Sequence, residues 1–473
     1  MKKKILFPIL IVVVVMSGCM VGPNFRKPEY NGPEDFRFAE TSDSTINLRW
    51  WEIFDDPVLD TLIKTAIDEN KDVLIAAARI EAARANIGFT KADGKPSIGY
   101  GSGISISGFN DNVSSEFYAI PELSWELDFW GKYRRMDEAA QANLLATEYG
   151  KRTVQMGLIS AVATTYFNIL AVNDQLQIAT HTVASRDSGY NLLQSRYEGG
   201  LIALIDLNQA QIQRDIAATV VPTYKRIIAL NENALSILLG QMPRDIEKGI
   251  PFYQQKYELD IPVGIPSDIL ERRPDIKLAE ELYRAKNAQI GIAEALRWPS
   301  FNLTSTFGLA SADLLNLNAY GLSWSAGIAV LGPLFQFGKN KRRVEIAEAN
   351  ARASLIEYEQ TVLQAFKEVE DALISIETYK EELIAQQSRT KTAMESENLA
   401  YVRYDEGSTT YLEVLEMQRQ SFGAQLDLLS NRLNLLNSYI RLYKALGGGW
   451  LSPEEEQQYM EEQSSNAGSG DGQ

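Results

Sequence analysis

The stretch RYEGGLIALIDLNQAQ, from Arg196 to Gln211, is repeated in outline as RYDEGSTTYLEVLEMQ, from Arg403 to Gln418. An arginine, a tyrosine, a glycine, an acid and a glutamine recur at a constant spacing of 207 residues. In each copy the glycine separates two stretches with helical periodicity, which is typical of a turn that ends one helix before the next begins. The repeat therefore predicts two helical hairpins of the same design.

The repetition extends beyond these turns. The Gly-Lys pair at 131–132 recurs at 338–339 with the same spacing, whereas 86–98 matches 289–301 at a spacing of 203. The second copy therefore carries four additional residues before its Gly-Lys pair. A period this long indicates an internal duplication rather than a solenoid, whose repeats are about 20–50 residues long.

The duplication sets the predicted domains. The first copy spans 57–240 and the second 268–450, with a connector at 241–267 and a tail at 451–473 that we expect to be disordered because it is rich in polar residues and glycine. The elements expected in the first copy are a helix at 57–93, strands at 97–108 and 117–130, and helices at 132–198 and 204–240. Those expected in the second copy are a helix at 268–297, strands at 300–309 and 320–332, and helices at 339–403 and 410–446.

The N-terminus has the composition of a secretory signal, predicted at residues 1–18. Lysines precede an apolar run that is too short to span a bilayer as a helix, which takes about 20 residues. Ser-Gly before Cys19 resembles a bacterial lipobox, which implies cleavage before Cys19 and its lipidation, and Met20 after it favours the outer membrane. Cys19 is the one cysteine of the chain, so no disulfide framework is possible. Residues 19–56 are the predicted lipid-anchored segment; an uncleaved membrane anchor is the alternative.

The charge of the chain excludes several classes of partner. The net charge is −16, which argues against nucleic acid and against an anionic membrane surface. After residue 18 we find no apolar run of about 18 residues or more, so we expect no transmembrane helix in the mature protein. This excludes an inner-membrane pump.

Four short segments alternate apolar and polar residues. In 97–107 most even positions are apolar and the odd ones are serine or glycine, and 122–129, 301–309 and 322–330 alternate in the same way. Period two over segments of about ten residues is typical of a membrane β-barrel, with a half-buried soluble sheet as the alternative. Four strands cannot close a barrel, and open edges in lipid leave backbone groups unpaired. The chain must therefore oligomerise, to a total of about 8, 12 or 16 strands.

The long helices carry a coiled-coil pattern. Apolar residues recur at intervals of seven from Leu355 to Leu383, and after the second turn they alternate spacings of three and four, interrupted at Arg419. A pattern sustained over this length is typical of packed, coiled-coil helices. Pro222 lies inside one of the shorter helices and predicts a kink there.

These residues together resemble the TolC-like outer-membrane efflux channels, in particular the lipoprotein (NodT-type) branch of resistance-nodulation-division systems. The resemblance covers about residues 19–450. It is carried by Cys19 with VGPNFRKP just after it, ERRPDI at 271–276, the two Arg-Tyr…Gly turns and ALGGGW at 445–450.

The resemblance implies a mixed α/β membrane protein with an internal two-fold duplication. Each chain would give four strands to a trimeric 12-strand outer-membrane β-barrel, and the coiled-coil helices would form a periplasmic α-barrel, with 241–267 as an equatorial connector. The implied function is the exit duct of a tripartite efflux pump, which passively conducts small toxic compounds. The implied partners are two further copies, a periplasmic adaptor protein, an inner-membrane pump and outer-membrane lipid. An exit duct for type I protein secretion and an envelope-anchored structural coiled coil are the alternatives.

Little in the sequence points to catalysis. His181, the one histidine, lies in a polar helical stretch and is expected on the surface. Metal sites need several His, Cys or carboxylate ligands at characteristic spacings, such as HExxH, and none is present. We therefore expect no enzyme activity, no cofactor and no metal.

The resemblance also assigns acids to the pore. Glu413 and Glu416 are three residues apart, share a helix face and match acidic constriction residues of the family. In a trimer they would form two rings of carboxylates; a solvated helix flank is the alternative. Three further acids on the strands, Glu122, Glu126 and Asp128, would face the lumen and favour cations.

The resemblance further implies a latch at the tip. Asp206 and Tyr404 match residues that hold neighbouring hairpins closed, so Asp206→Ala or Tyr404→Phe is expected to raise conductance. Thr409 stands where the best-known family member has arginine, so the latch must rest on hydrogen bonds, for example from Tyr404, or on another cation such as Arg403. The turns that an adaptor would contact comprise Arg196, Tyr197, Gly200, Arg403 and Gly407.

Overall fold

The computed structural model describes residues 20–29, 32, 36–38, 49–109, 112–257, 259, 268–311 and 321–448. The signal peptide expected at 1–18, the lipidation site Cys19 and the tail expected at 451–473 lie outside the described residues.

The chain divides into two compact units, each built from three segments. The strand unit comprises Met1–Tyr30, Ala77–Gly150 and Asp275–Thr361. The hairpin unit comprises Asn31–Ala76, Lys151–Pro274 and Val362–Gln473.

Both copies of the repeat contain the same elements in the same order. The first copy consists of α1 Pro57–Glu69, α2 Lys71–Asp93, β1 Ser97–Phe109, β2 Asn112–Leu127, α3 Lys132–Glu198 and α4 Leu204–Leu238. The second consists of α5 Asp268–Arg272, α6 Pro274–Ala295, β3 Ser300–Ser311, β4 Gly321–Leu331, α7 Lys339–Asp405 and α8 Tyr411–Ala445. The long helices α3 and α7 each have 67 residues, and α4 and α8 each have 35. The two hairpins are therefore equal in length, residue for residue.

The first helix of each copy differs from the prediction because each is broken. The helix expected at 57–93 is interrupted at Asn70, whose Oδ1 accepts hydrogen bonds from the backbone N–H of Asp72 (2.8 Å) and Val73 (3.2 Å). Asn70 thus caps a new helix. The helix expected at 268–297 is interrupted before Pro274, which lacks the N–H needed to continue a helix.

Some predicted element bounds were wrong. β2 runs from Asn112 to Leu127 rather than 117–130. Four of its first five residues are polar and hide the alternation, yet they pair with the end of β1, for example Glu116 with Ser105. The residues expected at its end, 128–130, lie outside the strand, because Asp128 instead accepts hydrogen bonds from backbone N–H groups in the first turn of α3. The other strand and helix ends differ from the prediction by at most two residues, within the usual fraying of such ends.

The four strands form one antiparallel sheet in the order β1-β2-β3-β4. The pairing of β2 with β3 joins the two copies of the repeat. The register sets apolar residues opposite apolar residues across the ladders, in the pairs Ile98 with Leu123, Trp125 with Leu303 and Phe307 with Trp324. Because the side-chain period of a strand is two, this register gives the sheet one apolar and one polar face.

The described part of the connector, 241–257 and 259, is fixed within the hairpin unit by a buried carboxylate. Asp56 is fully buried and accepts hydrogen bonds from Tyr166 Oη (2.9 Å) and Gln255 Nε2 (3.1 Å). The backbone N–H of Gly249 donates to Tyr166 Oη at 3.0 Å. Burial, and then the nearby Asp56 charge, raise the pKa of the Tyr166 phenol, so it stays a hydrogen-bond donor.

The ERRPDI stretch has a structural role that depends on one arginine. Arg273 is 3% exposed, its Nη1 donates to the carbonyl of Ala445 at 3.0 Å, and its Nη2 pairs with Glu368 at 2.8 Å. A cation at the last carbonyls of a helix is favourable. Arg273 therefore terminates α8, while Pro274 begins α6.

The predicted seam of α7 is buried. Of the row predicted at intervals of seven, Val362, Val369, Ile376 and Leu383 are all less than 9% exposed, whereas its first member, Leu355, is only half-buried. The shorter helix α4 continues through Pro222.

Candidate functional site

The sheet exposes an apolar face. Ile98, Tyr100, Trp324 and Ile328 are 75%, 89%, 72% and 68% exposed. They lie on the same face, since each is in register with an apolar partner on the next strand. Soluble proteins rarely expose a patch of this size, whereas a strand in a membrane presents such a face to lipid.

The opposite face of the sheet is polar. Ser97 Oγ lies 2.8 Å from Ser124 Oγ, and Thr306 Oγ1 lies 2.8 Å from Ser325 Oγ. Glu122 lies on this face opposite Thr306. The face therefore suits contact with water.

The three acids predicted to face the lumen have different environments. Glu122 is exposed, and no ion pair to it is found among the described residues. Glu126 instead forms an ion pair with Lys132 at 2.6 Å, and Asp128 pairs with Arg134 at 3.0 Å. Two of these three acids therefore neutralise cations at the start of α3.

The two tip turns have identical hydrogen bonding. In the first, Gly200 has φ +71°, its N–H donates to the carbonyl of Tyr197, and the next N–H donates to the carbonyl of Arg196. In the second, Gly407 also has φ +71°, and the corresponding bonds reach Tyr404 and Arg403. This is the Schellman motif, which needs a residue in the left-handed conformation and so favours glycine. The repeated glycine in the sequence is thereby explained.

Tyr404 connects the two hairpins. Its hydroxyl accepts a hydrogen bond from Arg196 Nη1, and the Arg196 guanidinium also lies over its ring, 5.0 Å from the centroid. The Tyr404 ring packs edge-on against the Tyr411 ring, with the two centroids 5.0 Å apart. Both tyrosines pack in an apolar cluster that includes Leu193 and Leu207 of the first hairpin. Arg196 and Tyr404 were thus both singled out by the sequence, but their contact was not.

The cation predicted as one possible partner of Asp206 pairs elsewhere. Arg403 Nη1 lies 2.5 Å from Glu413 Oε1, and Thr409 Oγ1 donates to the other oxygen of the same carboxylate. Asp206 is half-buried, and no hydrogen bond or ion pair to its carboxylate is found in the described part of the chain. Among the described residues, Asp206 therefore has no latch partner.

Glu416 is also paired. Arg419 Nη2 lies 2.6 Å from its Oε1 and Arg419 Nε lies 2.9 Å from its Oε2. This bidentate contact, together with a third hydrogen bond from Gln420, lowers the pKa of the Glu416 carboxyl to about 2. Arg419, which interrupts the apolar row of α8, is thus the cation that pairs with this acid.

The repeat itself contains the signal for the missed Arg196 contact. Arg196 and Arg403 occupy equivalent positions, as do Asp206 and Glu413. Aspartate is shorter than glutamate by one methylene, so in the first copy the arginine does not meet the acid as it does in the second. Arg196 is instead available to Tyr404.

Other candidate centres are few. His181 is exposed on α3. No group of three or more His, Cys, Asp or Glu placed to hold a metal is found in the parts of the chain that the structure describes. Among the described helices, α3 contains a stretch that is long and apolar enough to cross a membrane by length and composition; 61% of that stretch is buried, which is also typical of a core helix.

A sheet with one apolar, exposed face, combined with paired long helical hairpins, defines a channel-forming protein of the outer membrane. The sequence profile of outer membrane efflux proteins matches residues 62–241 and 265–448. The chain is 32% identical to the toluene efflux pump outer membrane protein TtgC of Pseudomonas putida, over 94% of this chain and 96% of that one. It is 34% identical to the cation efflux system protein CusC of Escherichia coli, over 93% of this chain and 97% of that one.

The comparison with solved structures also identifies outer-membrane channels. The Campylobacter jejuni CmeC outer membrane channel superposes with a TM-score of 0.85 at 26% identity, covering 95% of this chain and 99% of that one. The chain belongs to the outer membrane efflux protein family. It is an outer-membrane efflux channel, and the fold class and the family resemblance read from the sequence are confirmed. The family and these relatives are channel proteins.

Proposed function

We propose that three copies of this chain form the exit duct of a tripartite resistance-nodulation-division efflux pump. The duct passively conducts small toxic compounds from an inner-membrane pump and a periplasmic adaptor protein across the periplasm and the outer membrane. The single observation that carries the proposal is the four-stranded sheet with one apolar, exposed face.

The sheet supports a trimer. β1 and β4 are its edges, and an edge in lipid costs several kcal/mol for each unpaired backbone group. Pairing β4 of one chain with β1 of the next removes every edge, and three chains give a 12-strand barrel. The polar face, with Glu122 on it, then lines the lumen.

The hairpin unit supports a gated tip. The two Schellman turns end the hairpins, and Arg196 and Tyr404 bridge one hairpin to the other. We assign this pair as a latch that favours the closed tip. Glu413 and Glu416, each with its arginine, lie just behind the second turn and set the charge of the narrow mouth. An adaptor would contact the turns themselves.

The N-terminal segment supports a lipid anchor on Cys19. The backbone N–H of Val21 donates to the carbonyl of Trp130 at 3.1 Å, and a Cβ on Gly131 would lie only 2.7 Å from Met20 Cγ. The segment that follows Cys19 is thus fixed to the end of β2, where a membrane-inserted strand meets the periplasm. Acyl chains on Cys19 would enter the bilayer at this level.

The test is a pair of lysine substitutions on adjacent residues of β4. Ile328→Lys places a charge on the apolar face, which costs about 2–4 kcal/mol at the bilayer midplane. Gly327→Lys places the same charge on the polar face, where the space beyond the Cα is open. We expect the wild type and Gly327→Lys to form channels in planar bilayers, the latter with weaker cation selectivity, and Ile328→Lys to insert poorly. Equal insertion of the two variants would contradict the proposal.

A further inference from the structure

The connection from β4 to α7 presents an apolar surface. We call residues 332–337, with the sequence GPLFQF, the apolar finger. Leu334, Phe335 and Phe337 in it are 104%, 74% and 91% exposed. The rings of Phe335 and Phe337 contact each other, with centroids 4.6 Å apart. The finger therefore offers a compact set of large apolar side chains that the strand unit does not cover.

The equivalent connection in the first copy is different. Residues 128–131, with the sequence DFWG, join β2 to α3, and their aromatic rings are packed. The rings of Phe129 and Phe301 contact each other with their centroids 5.2 Å apart, and Trp130 stacks on Trp298 with the ring centroids 4.9 Å apart. The additional residues of the second copy thus produce an exposed apolar surface that the first copy lacks.

The finger has a defined backbone. Phe337 has φ +49°, in the left-handed region that a bulky side chain adopts only at a cost in strain. The N–H of Lys339 donates to the carbonyl of Gln336 at 2.9 Å. At the other end Gly332 lies against Pro299, because a Cβ there would come within 2.9 Å of Pro299 Cα. The backbone is therefore constrained at both ends of the finger.

The finger lies at the end of the sheet where the chain is anchored. Trp130 Nε1 donates to the carbonyl of Pro299 at 2.8 Å, and the carbonyl of Trp130 accepts from Val21. Gly332 contacts the same proline. The finger and the segment that follows Cys19 thus lie at the same end of the sheet, beside Pro299 and Trp130.

Cations follow the finger directly. The sequence KNKRR begins α7 and provides Lys339, Lys341, Arg342 and Arg343. Lys341 and Arg342 are 74% exposed and share one acid, Glu345, at 3.8 and 2.5 Å. The start of α7 therefore carries an excess of positive charge in a chain whose net charge is −16.

The start of α3 carries no such excess. Each of its cations has a carboxylate of its own, in the ion pairs Lys132–Glu126 at 2.6 Å, Arg134–Asp128 at 3.0 Å and Arg135–Glu138 at 2.7 Å. In the described residues of the two connections, exposed apolar rings and uncompensated cations therefore occur together at the start of α7 and not at the start of α3.

We propose that the apolar finger inserts into the periplasmic leaflet of the outer membrane and that the cations at the start of α7 bind anionic phospholipid headgroups. The proposal rests on the proposed function for the position of the sheet in the membrane. Apolar rings continue the exposed face of β4, where Val330 is 58% exposed, into the interface. Lysine and arginine just beyond an apolar segment reach the phosphates while their methylenes stay with the acyl chains.

The test uses a nitroxide label on Phe335→Cys in lipid nanodiscs. Cys19 is the only native cysteine, so a label on acylated protein reports one site, and the wild type treated with label checks this. Ile328→Cys is the lipid-facing control, and Leu201→Cys, 76% exposed at the first tip turn, is the water-facing control. We expect the Phe335→Cys label to be accessible to oxygen and protected from a water-soluble nickel complex, as at Ile328→Cys.

The headgroup part is tested by native mass spectrometry of protein released from nanodiscs that contain phosphatidylglycerol. Lys339→Gln with Lys341→Gln should retain fewer of these lipids than the wild type, and Lys391→Gln, elsewhere on α7, should match the wild type. If the nickel complex reaches the Phe335→Cys label as readily as the Leu201→Cys label, the proposal is overturned. Protection of the Phe335→Cys label from both oxygen and nickel would also overturn it, because that result indicates that a second copy of the chain covers the finger. Unchanged lipid retention would overturn the headgroup assignment. Channel formation by the wild type tests the proposed function separately.

Discussion

Replacing Tyr404 with phenylalanine removes one hydrogen bond between the two hairpins and little else. Arg196 Nη1 donates to the Tyr404 hydroxyl, and a hydrogen bond to a charged group contributes about 1.5–3 kcal/mol when buried. Both side chains are half-buried, and solvent screening reduces this to about 1 kcal/mol. The guanidinium stays over the ring, so the cation–π contact remains. A loss of about 1 kcal/mol raises the ratio of open to closed tips about fivefold.

The assay is single-channel recording in planar bilayers, with the fraction of time in high-conductance states as the readout. Tyr197→Phe is the matched control, since Tyr197 is the equivalent residue of the first copy, 207 positions earlier. We expect Tyr404→Phe to raise the open fraction and Tyr197→Phe to leave it unchanged. Asp206→Ala should act more weakly than Tyr404→Phe unless a second subunit supplies its partner. An unchanged open fraction in Tyr404→Phe would refute the latch.

Three further outcomes follow from the structure. Glu413→Gln with Glu416→Gln leaves their arginines uncompensated, so reversal potentials should shift from cation towards anion selectivity; the wild type should keep its Glu416 charge until the pH falls towards about 2. Arg135 is 1% exposed and donates to the carbonyls of Val21 and Gly22, so Arg135→Ala should lower the thermal unfolding temperature more than exposed Lys391→Ala does. Mass spectrometry of the mature N-terminus should find acyl chains on Cys19, and a free thiol on Cys19 would contradict the prediction that this residue is lipidated.

Much of the fold could be read from the sequence because two periodicities are visible. Period two in the strands and period seven in α7 reflect which side of each element is covered, and they gave the sheet, its apolar face and the buried seam. The break at Asn70 was not visible in this way. It depends on a side chain that caps α2 and also donates to the carbonyl of Leu238, 168 positions away, and no local pattern contains that contact.

The candidate site was predicted only in part, since residue types were easier to identify than partners. The glycine turns, Tyr404 and the acids of α8 were identified from the repeat and the family resemblance. The pairing of Glu126 with Lys132 was not, because a carboxylate on a strand has the same sequence pattern whether or not a cation in the next element neutralises it. The pairing of Glu416 with Arg419 could have been predicted, since residues three apart on a helix share a face. The difference between a free acid and a paired one is decided by side-chain reach in three dimensions.

The number of chains per channel tests the central claim most directly. The described part of each chain supplies four strands in a sheet whose edges are β1 and β4, and the proposed barrel closes with twelve. Native mass measurement of the detergent-solubilised, channel-active protein should therefore give a complex of three chains. A complex of two or four chains would contradict the 12-strand barrel, and a monomer that still inserts and conducts would contradict the argument from the open sheet edges.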